Sequence, residues 1–356
     1  MKTKIIAVIG CGSIADAAHF PSLTSIDNVR IKYACDLIEE RAAAMKEKYP
    51  DKVEQVITDY HIALRDPEVE AVYVLTPNHA HYTITMDALR AGKHVFCEKP
   101  VAVKHELACE MAAEAHKQNK LLNIGVCNRF DAAVQELARR VAAGEFGNIY
   151  HVYCSFRAWR AIPGLGGPFT TKSLSGGGVL IDWGIHYFDL ILYVLGGAKL
   201  INVTCDTYNK IAKDMKSYRY KNMYALNTSD IENGTNDVDD FVTGYIRTDR
   251  ASISFNGSWA QNIPGKVEFY IDFLGDKAGA RLKYGADFTT FNGETLESET
   301  VELPHGQMYR NESVSFLNCI ETGEKDSNHI DNILESSKLV QMLYDSAEIR
   351  KEISAQ

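Results

Sequence analysis

Over its first third the chain alternates short apolar runs with stretches of helical period. Ile5–Ile9, Val29–Cys35, Val69–Leu75, Lys93–Cys97 and Leu121–Val126 are strand-length runs rich in β-branched residues. The first four close at Gly10, Asp36, Thr76-Pro77 and Glu98-Lys99-Pro100. The intervening segments Glu39–Tyr49, Tyr82–Ala91 and Lys104–Asn119 carry the spacing of helices. Near-continuous apolar strands separated by helices predict an α/β domain, its doubly wound parallel sheet covered on both faces. The pattern changes after about Asn128. A helix over Ala132–Ala143 stops at Gly144, and alternating runs follow at Ile149–Phe156, Ile201–Thr207, Phe241–Thr248, Ala251–Trp259 and Val267–Leu274. These predict an α+β domain with a large, mostly antiparallel open sheet and one covered face; a helix over Gly178–Leu195 interrupts the runs and another over Asp331–Ile349 closes the chain. The expected division is 1–126 and 127–356.

Length and composition agree: 356 residues correspond to about two domains, and 46% hydrophobic with 24% charged residues is ordinary for a folded chain. Lys plus Arg is 38 and Asp plus Glu 47, so the net charge is 38 − 47 = −9. That balance disfavours nucleic acid and anionic membrane surfaces as partners. The eight cysteines form no CxxC pair and several sit within apolar runs, which points to buried thiols and a reducing cytoplasm. Five apolar residues before Gly10 are too few for a signal-peptide core or a membrane span. Asn209–Lys221 is basic and Ser229–Asp240 acidic, read as a solvated loop.

The first strand runs into Gly10-Cys11-Gly12-Ser13-Ile14-Ala15, a GxGxxA turn that opens a helix. Gly10 allows the tight turn, Gly12 allows the backbone to approach a pyrophosphate, and Ala15 keeps helix and strand close. The N–H groups of Ser13 and Ile14 then face the phosphates. Asp36 closes the second strand, 26 residues beyond Gly10, where a carboxylate bonds the adenosine ribose hydroxyls. With Leu37 beside it and no cation for a 2′-phosphate, the expected cofactor is NAD in a Rossmann-type domain.

Glu98-Lys99-Pro100 follows a buried strand at the carboxyl edge of the sheet, where open α/β sheets bind ligands. Lys99 there either hydrogen-bonds a substrate hydroxyl or is a solvated turn lysine. Asp182, His186 and Asp189 stand at i, i+4 and i+7 and share a helix face. A carboxylate one turn from an imidazole orients it for general-base work; the alternatives are a metal site or a buried polar network, and Asp189 is the weakest catalytic candidate of the three. No Cys or further His cluster completes a ligand set, so no metal is expected.

Lys93-His94-Val95-Phe96-Cys97-Glu98-Lys99-Pro100 and Gly176-Gly177-Gly178…Asp182-Trp183-Gly184-Ile185-His186…Asp189 resemble two signature segments of the glucose–fructose oxidoreductase, inositol dehydrogenase and rhizopine-catabolism (Gfo/Idh/MocA) family. The likeness extends over nearly the whole chain, including Thr76-Pro77-Asn78-His79 and Asn128-Arg129-Phe130. It implies an NAD(P)-dependent dehydrogenase acting on CH–OH groups, with His186 as acid/base, Asp182 supporting it, and Lys99 bonding the reacting oxygen. It also implies that Thr76, Pro77, Asn78, His81, Glu98, Lys99, Asn128 and Arg129 line the cofactor. An aromatic ring and guanidinium groups suit a polyhydroxylated ring, which makes Arg157, Trp159 and Arg160 substrate candidates beside Lys99, Asp182, Trp183 and His186. A cofactor-side or partner-side role for the loop 157–168 stays open, and Asp206, Asn256 and His305 are further polar candidates. The expected substrate is a sugar, inositol or related polyol. Rival readings are an NAD-cycling glycoside hydrolase of the same fold and a non-catalytic sugar or dinucleotide sensor. Trp259, Phe255 and Phe273 are read as apolar surface of the open sheet, whose pairing with a second copy gives a homodimer or homotetramer.

Overall fold

The computed structural model describes residues 3–220, 225, 228–264 and 268–355. Lys221 and Val267, the ends of two segments read from the sequence, lie outside the described residues. The chain forms two compact units, Met1–Cys127 with Gln307–Leu334, and Asn128–Gly306 with Glu335–Gln356.

The first unit holds six parallel strands: β1 (Lys4–Ile9), β2 (Val29–Cys35), β3 (Val53–Ile57), β4 (Ala71–Val74), β5 (His94–Glu98) and β6 (Leu122–Gly125). Their order is β3-β2-β1-β4-β5-β6. Register levels their carboxyl ends: Ile9 stands beside Cys35 and Val74, Val74 beside Cys97, and Glu98 beside Gly125. That alignment brings the turns after β1, β2, β4 and β5 to one edge of the sheet, the side on which open α/β sheets bind ligands. β3 escapes the sequence pattern because it is an edge strand in which only Val53 is fully buried. Helices Glu39–Lys48, Tyr60–Arg65, Asn78–Arg90 and His105–Gln118 alternate with the strands.

The division read from the sequence gave everything after 126 to the second domain, whereas residues 307–334 return to the first unit. The reason is an apolar stripe. Helix Met308–Thr322 buries Phe316 and Leu317, and the Phe316 ring meets Tyr73 and Phe96 on the sheet. Beyond it, Asn328 bonds the backbone of Ile124 through both its carbonyl and its side-chain amide, extending the edge beside β6.

The second unit carries a nine-stranded sheet built from β7 (Ile149–Arg157), β8 (Leu200–Tyr208), β9 (Phe241–Thr248), β10 (Ser252–Ser258), β11 (Glu268–Gly275), β12 (Ala278–Lys283), β13 (Phe288–Asn292), β14 (Ser298–Val301) and β15 (Ile353–Ser354). The order is β14-β13-β12-β11-β7-β10-β9-β8-β15, antiparallel throughout except for the parallel pair β7–β10. One face is covered by helices Ala132–Ala142, Ile185–Val194 and Leu334–Ile349. Trp259, Phe255 and Phe273 belong to that covered face, each at most 2% exposed. The expectation that they supply outward apolar surface is therefore corrected: the strand alternation turns them inward with Val152, Cys154 and Phe156. The outer face shows Tyr153, Tyr208, Tyr245 and Tyr270 among polar neighbours. Among the described residues no helix is long and apolar enough to cross a membrane.

Candidate functional site

At the carboxyl edge of the parallel sheet, Gly10 adopts φ +96°, and a Cβ built on it would lie 2.5 Å from the Leu75 carbonyl oxygen. Only glycine fits there. Gly12 is the opposite case, because a Cβ on it would meet nothing within 4 Å. The backbone at Gly12 thus borders open space at the start of the first helix. That helix opens with a π-type turn, Ala15–His19, before continuing over Phe20–Thr24. Asp36 accepts the N–H of Cys11 at 2.8 Å through one oxygen and that of Ile38 at 2.9 Å through the other. The acid therefore ties the end of β2 to the glycine turn. Beyond it Leu37 is 90% exposed, and no cation follows directly. Thr76, past the end of β4, has a buried hydroxyl without a hydrogen-bond partner. An open approach at Gly12 and an unsatisfied hydroxyl at Thr76 fit a dinucleotide on this edge. Pro77 and Asn78 follow at the start of helix Asn78–Arg90.

His81 is placed differently from the cofactor-lining role expected of it. It is 1% exposed, with Nδ1 at 2.7 Å from the Pro100 carbonyl and Nε2 at 2.8 Å from the Thr76 carbonyl. Its ring is a strut between the turns after β4 and β5. Burial pushes its pKa below the usual histidine value, against the pull of the two carbonyls. Glu98 is likewise turned inward. It is 5% exposed, its Oε1 meets His19 Nε2 at 2.7 Å, and its Oε2 accepts the Lys99 N–H at 2.9 Å. It shapes the turn from behind instead of facing a ligand. Lys99 is half-buried, and the Lys99–Pro100 peptide is cis.

In the second unit a π-type turn, Leu180–Gly184, leads into helix Ile185–Val194. Buried Asp239 fastens its start, accepting the N–H of Gly178 at 2.8 Å and of Leu180 at 2.9 Å and the Tyr344 hydroxyl at 2.9 Å. Gly178 is obligatory, since a Cβ would lie 1.9 Å from the Asp239 carbonyl. Asp182 is buried and His186 half-buried. The Asn128 amide donates to His186 Nδ1 at 3.3 Å, and the His186 ring lies 6.4 Å from that of Tyr284. Trp183 packs edge-on against Phe269 at 5.5 Å.

Asp189, one turn further, is engaged by other partners. It is 1% exposed and takes a bidentate ion pair from Arg129 at 2.7 and 2.8 Å, together with the Ser336 hydroxyl at 2.7 Å. Arg129 is 4% exposed, and its guanidinium lies over the Tyr193 ring. The Nε and Nη2 donors of Arg129 are therefore committed to Asp189.

The substrate candidates around 157–160 divide. Arg157 shares its strand face with Tyr153, on the side of the sheet away from helix Ile185–Val194, and is ion-paired with Glu268. Arg160 donates to the carbonyls of Trp159 and Gln261 at 2.6 and 2.8 Å and to Asn262, which pins the loop. Trp159 packs under it. Asp206 and Asn256 also point to the outer face, and His305 is bonded to Asp287 at 2.7 Å. What sequence reading missed was the support: His19, Asp239 and Glu312 are buried against partners on distant elements, and nothing in their spacing marks them.

Comparison with known proteins gives the family. Residues 4–126 match the oxidoreductase family with NAD-binding Rossmann fold, and residues 134–281 match the GFO/IDH/MocA C-terminal domain. D-glucoside 3-dehydrogenase of Escherichia coli K12 is 32% identical over 346 residues, covering 96% of this chain and 95% of that protein. Myo-inositol 2-dehydrogenase of Thermotoga maritima is 33% identical over 191 residues, about half of each chain (54% and 54%). Among solved structures, levoglucosan dehydrogenase with NADH and L-sorbose superposes over 100% of both chains with TM-score 0.86 at 19% identity, a likeness of fold. The glycine turn, the acid closing β2, the Glu98-Lys99-Pro100 turn and the Asp182/His186 helix therefore stand in a chain that belongs to the Gfo/Idh/MocA family of NAD-dependent oxidoreductases.

Proposed function

We propose that this protein moves hydride between a secondary hydroxyl of a sugar, inositol or related polyol and NAD. The observation that carries the reading is the held imidazole: His186 is fixed through Nδ1 by Asn128, one helical turn from buried Asp182. The names of the glucoside and inositol dehydrogenases among its relatives point to the same substrate class.

NAD would lie along the edge formed by Gly10, Gly12, Ser13, Ile14, Asp36, Thr76, Pro77 and Asn78, and its nicotinamide supplies the hydride acceptor. The protein's own work is binding and proton transfer. A neutral imidazole carries a single ring proton. While the Asn128 amide donates to Nδ1, that proton sits on Nε2 and the ring takes no proton there. With the amide rotated so that its oxygen accepts from Nδ1–H, Nε2 takes the hydroxyl proton. Asn128 thereby selects the tautomer, Asp182 favours the imidazolium that forms, and Lys99 stabilises negative charge on the reacting oxygen. Trp183 and Trp159 are the aromatic candidates for the apolar face of the sugar. Arg157, which lies across the sheet, has no place in this assignment.

The outward tyrosines of the nine-stranded sheet are the surface on which we place a homodimer or homotetramer contact. Light scattering at micromolar concentration tests it, and a monomer contradicts it. The function is tested by following reduced nicotinamide while the protein turns over a panel of aldoses, inositols, sugar acids and glycosides. Net reduction with one of them supports a dehydrogenase. Glycoside cleavage without net reduction assigns an NAD-cycling hydrolase instead.

A further inference from the structure

Behind the Lys99 turn lies a buried cluster that the proposed reaction leaves unused. His19, Glu98 and Glu312 are 0%, 5% and 1% exposed, and one nitrogen or oxygen of each lies within 4.8 Å of the others. They come from the π-type turn Ala15–His19, the end of β5 and helix Met308–Thr322. The rings of Tyr73, Phe96 and Tyr309 surround His19 edge-on at 5.6 to 6.4 Å, so the setting is apolar. Space for the Glu98 carboxylate is made by Gly125, where a Cβ would lie 2.9 Å from its Oε1.

The hydrogen bonds are unequal. Glu98 has His19 on one oxygen and the Lys99 N–H on the other. Glu312 has a 3.4 Å contact from the Asn328 amide on Oε2, and its buried Oε1 has no partner. Two carboxylates this close and this dry do not both ionise. Burial raises Glu312 well above the usual range, and Glu98 adds to it. At Glu98 burial also acts upward, but the His19 hydrogen bond with the His19 and Lys99 charges outweighs it and holds that carboxyl below its ordinary value. The other titratable groups facing the pair are Lys99 on the same turn, Cys127 after β6, Tyr309 on the Glu312 helix, and Asp326 beyond it. Burial raises Cys127 and Tyr309, which keep their protons, and Asp326 accepts from Asn123 and Ser315.

We propose that Glu312 is a neutral carboxylic acid beside the Glu98 carboxylate, and that His19, bonded to Glu98, and Glu312, held uncharged next to it, are positioning residues for Glu98 and, through its bond to the Lys99 N–H, for the turn that presents Lys99. The inference rests on the reading that Lys99 acts in the reaction. His19 and Glu312 act only through Glu98.

The proton is read without turnover. Infrared spectra of the full chain at pH 7 are expected to contain the carbonyl stretch of a buried protonated carboxylic acid, lost in Glu312→Gln. Absence of that band from the wild type overturns the neutral acid. So does a stoichiometric divalent metal in the purified protein that disappears in Glu312→Ala, since the cluster would then be a metal site. In turnover, Glu312→Gln keeps a donor in place and is expected to stay within about threefold of wild type, while Glu312→Ala loses roughly ten- to hundredfold in kcat with KM for NAD little changed. Melting temperature and NAD affinity of Glu312→Ala establish that the comparison is between folded proteins. If Lys99→Ala is inactive and Glu312→Ala fully active, the positioning claim alone falls. If Lys99→Ala turns over normally, the reaction role of Lys99 and the positioning claim both fall.

Discussion

Removing the Asp189 carboxylate is expected to unfold the second unit far more readily than removing both members of its ion pair. In Asp189→Ala the Arg129 guanidinium, 4% exposed, keeps its charge and loses two charge-assisted bonds of 2.7 and 2.8 Å. Breaking a buried pair from one side costs about 3–5 kcal/mol. The Ser336 hydroxyl also loses its acceptor, a further ~1 kcal/mol. With a urea slope of about 2 kcal/mol per molar, a loss of about 4 kcal/mol lowers the midpoint by roughly 2 M. The chain has three tryptophans, and Trp159, Trp183 and Trp259 all lie in the second unit. Tryptophan fluorescence therefore reports this unit and not the dinucleotide domain. The double variant Arg129→Met with Asp189→Leu is expected to recover most of the loss, because two apolar side chains of similar volume leave no buried charge. Equal damage in single and double variants, or a single variant that costs less than about 1 kcal/mol, refutes this reasoning. A tenfold weaker NAD affinity in a stable Arg129→Met protein returns Arg129 to the cofactor.

Three further outcomes follow from the geometry. Gly12→Val places its side chain in open space, so the fold is expected to hold while NAD binding weakens about tenfold or more, roughly 1.4 kcal/mol; Gly10→Ala drives a methyl against Leu75 and is expected to lower melting temperature as well. Asp36→Ser with Leu37→Arg is expected to move cofactor preference toward NADP, read as the ratio of kcat/KM values, and an unmoved ratio sinks the ribose assignment. Buried Asp240 has its pKa raised by burial to about 6, above its unfolded value, so stability is lost as pH rises from about 4 through 6. Asp240→Asn removes that slope and is expected to be stabilised relative to wild type by about 2 kcal/mol at pH 8 but not at pH 4; denaturation at both pH values checks the sign.

The sequence makes the strands of the parallel sheet legible because each central strand is apolar on both faces and ends in a turn residue that the cofactor edge requires. β3 was invisible because an edge strand has one buried residue to show. The helix Met308–Thr322 and the strands β12 to β14 were missed because what they cover is a face supplied by distant sequence. The spacing of Asp182 and His186 is legible, but the same spacing grouped Asp189 with them, and only the fold shows it spent on Arg129. Arg157 is legible only through strand alternation, which sets it on the outer face with Tyr153, opposite Val152, Cys154 and Phe156. His81, Glu98 and His19 act through buried partners on other elements, and such partners cannot be inferred from spacing.

The central claim is that one imidazole, held by Asn128 beside Asp182, performs the proton transfer of an NAD-dependent oxidation of a sugar or polyol hydroxyl. The most direct measurement is the initial rate of reduced-nicotinamide absorbance for wild type and His186→Ala on the same substrate, with NAD affinity measured alongside. The account predicts a steady rise for the wild type, a loss of roughly a hundredfold or more in kcat for the variant, and unchanged NAD binding. Turnover near wild type in His186→Ala contradicts it.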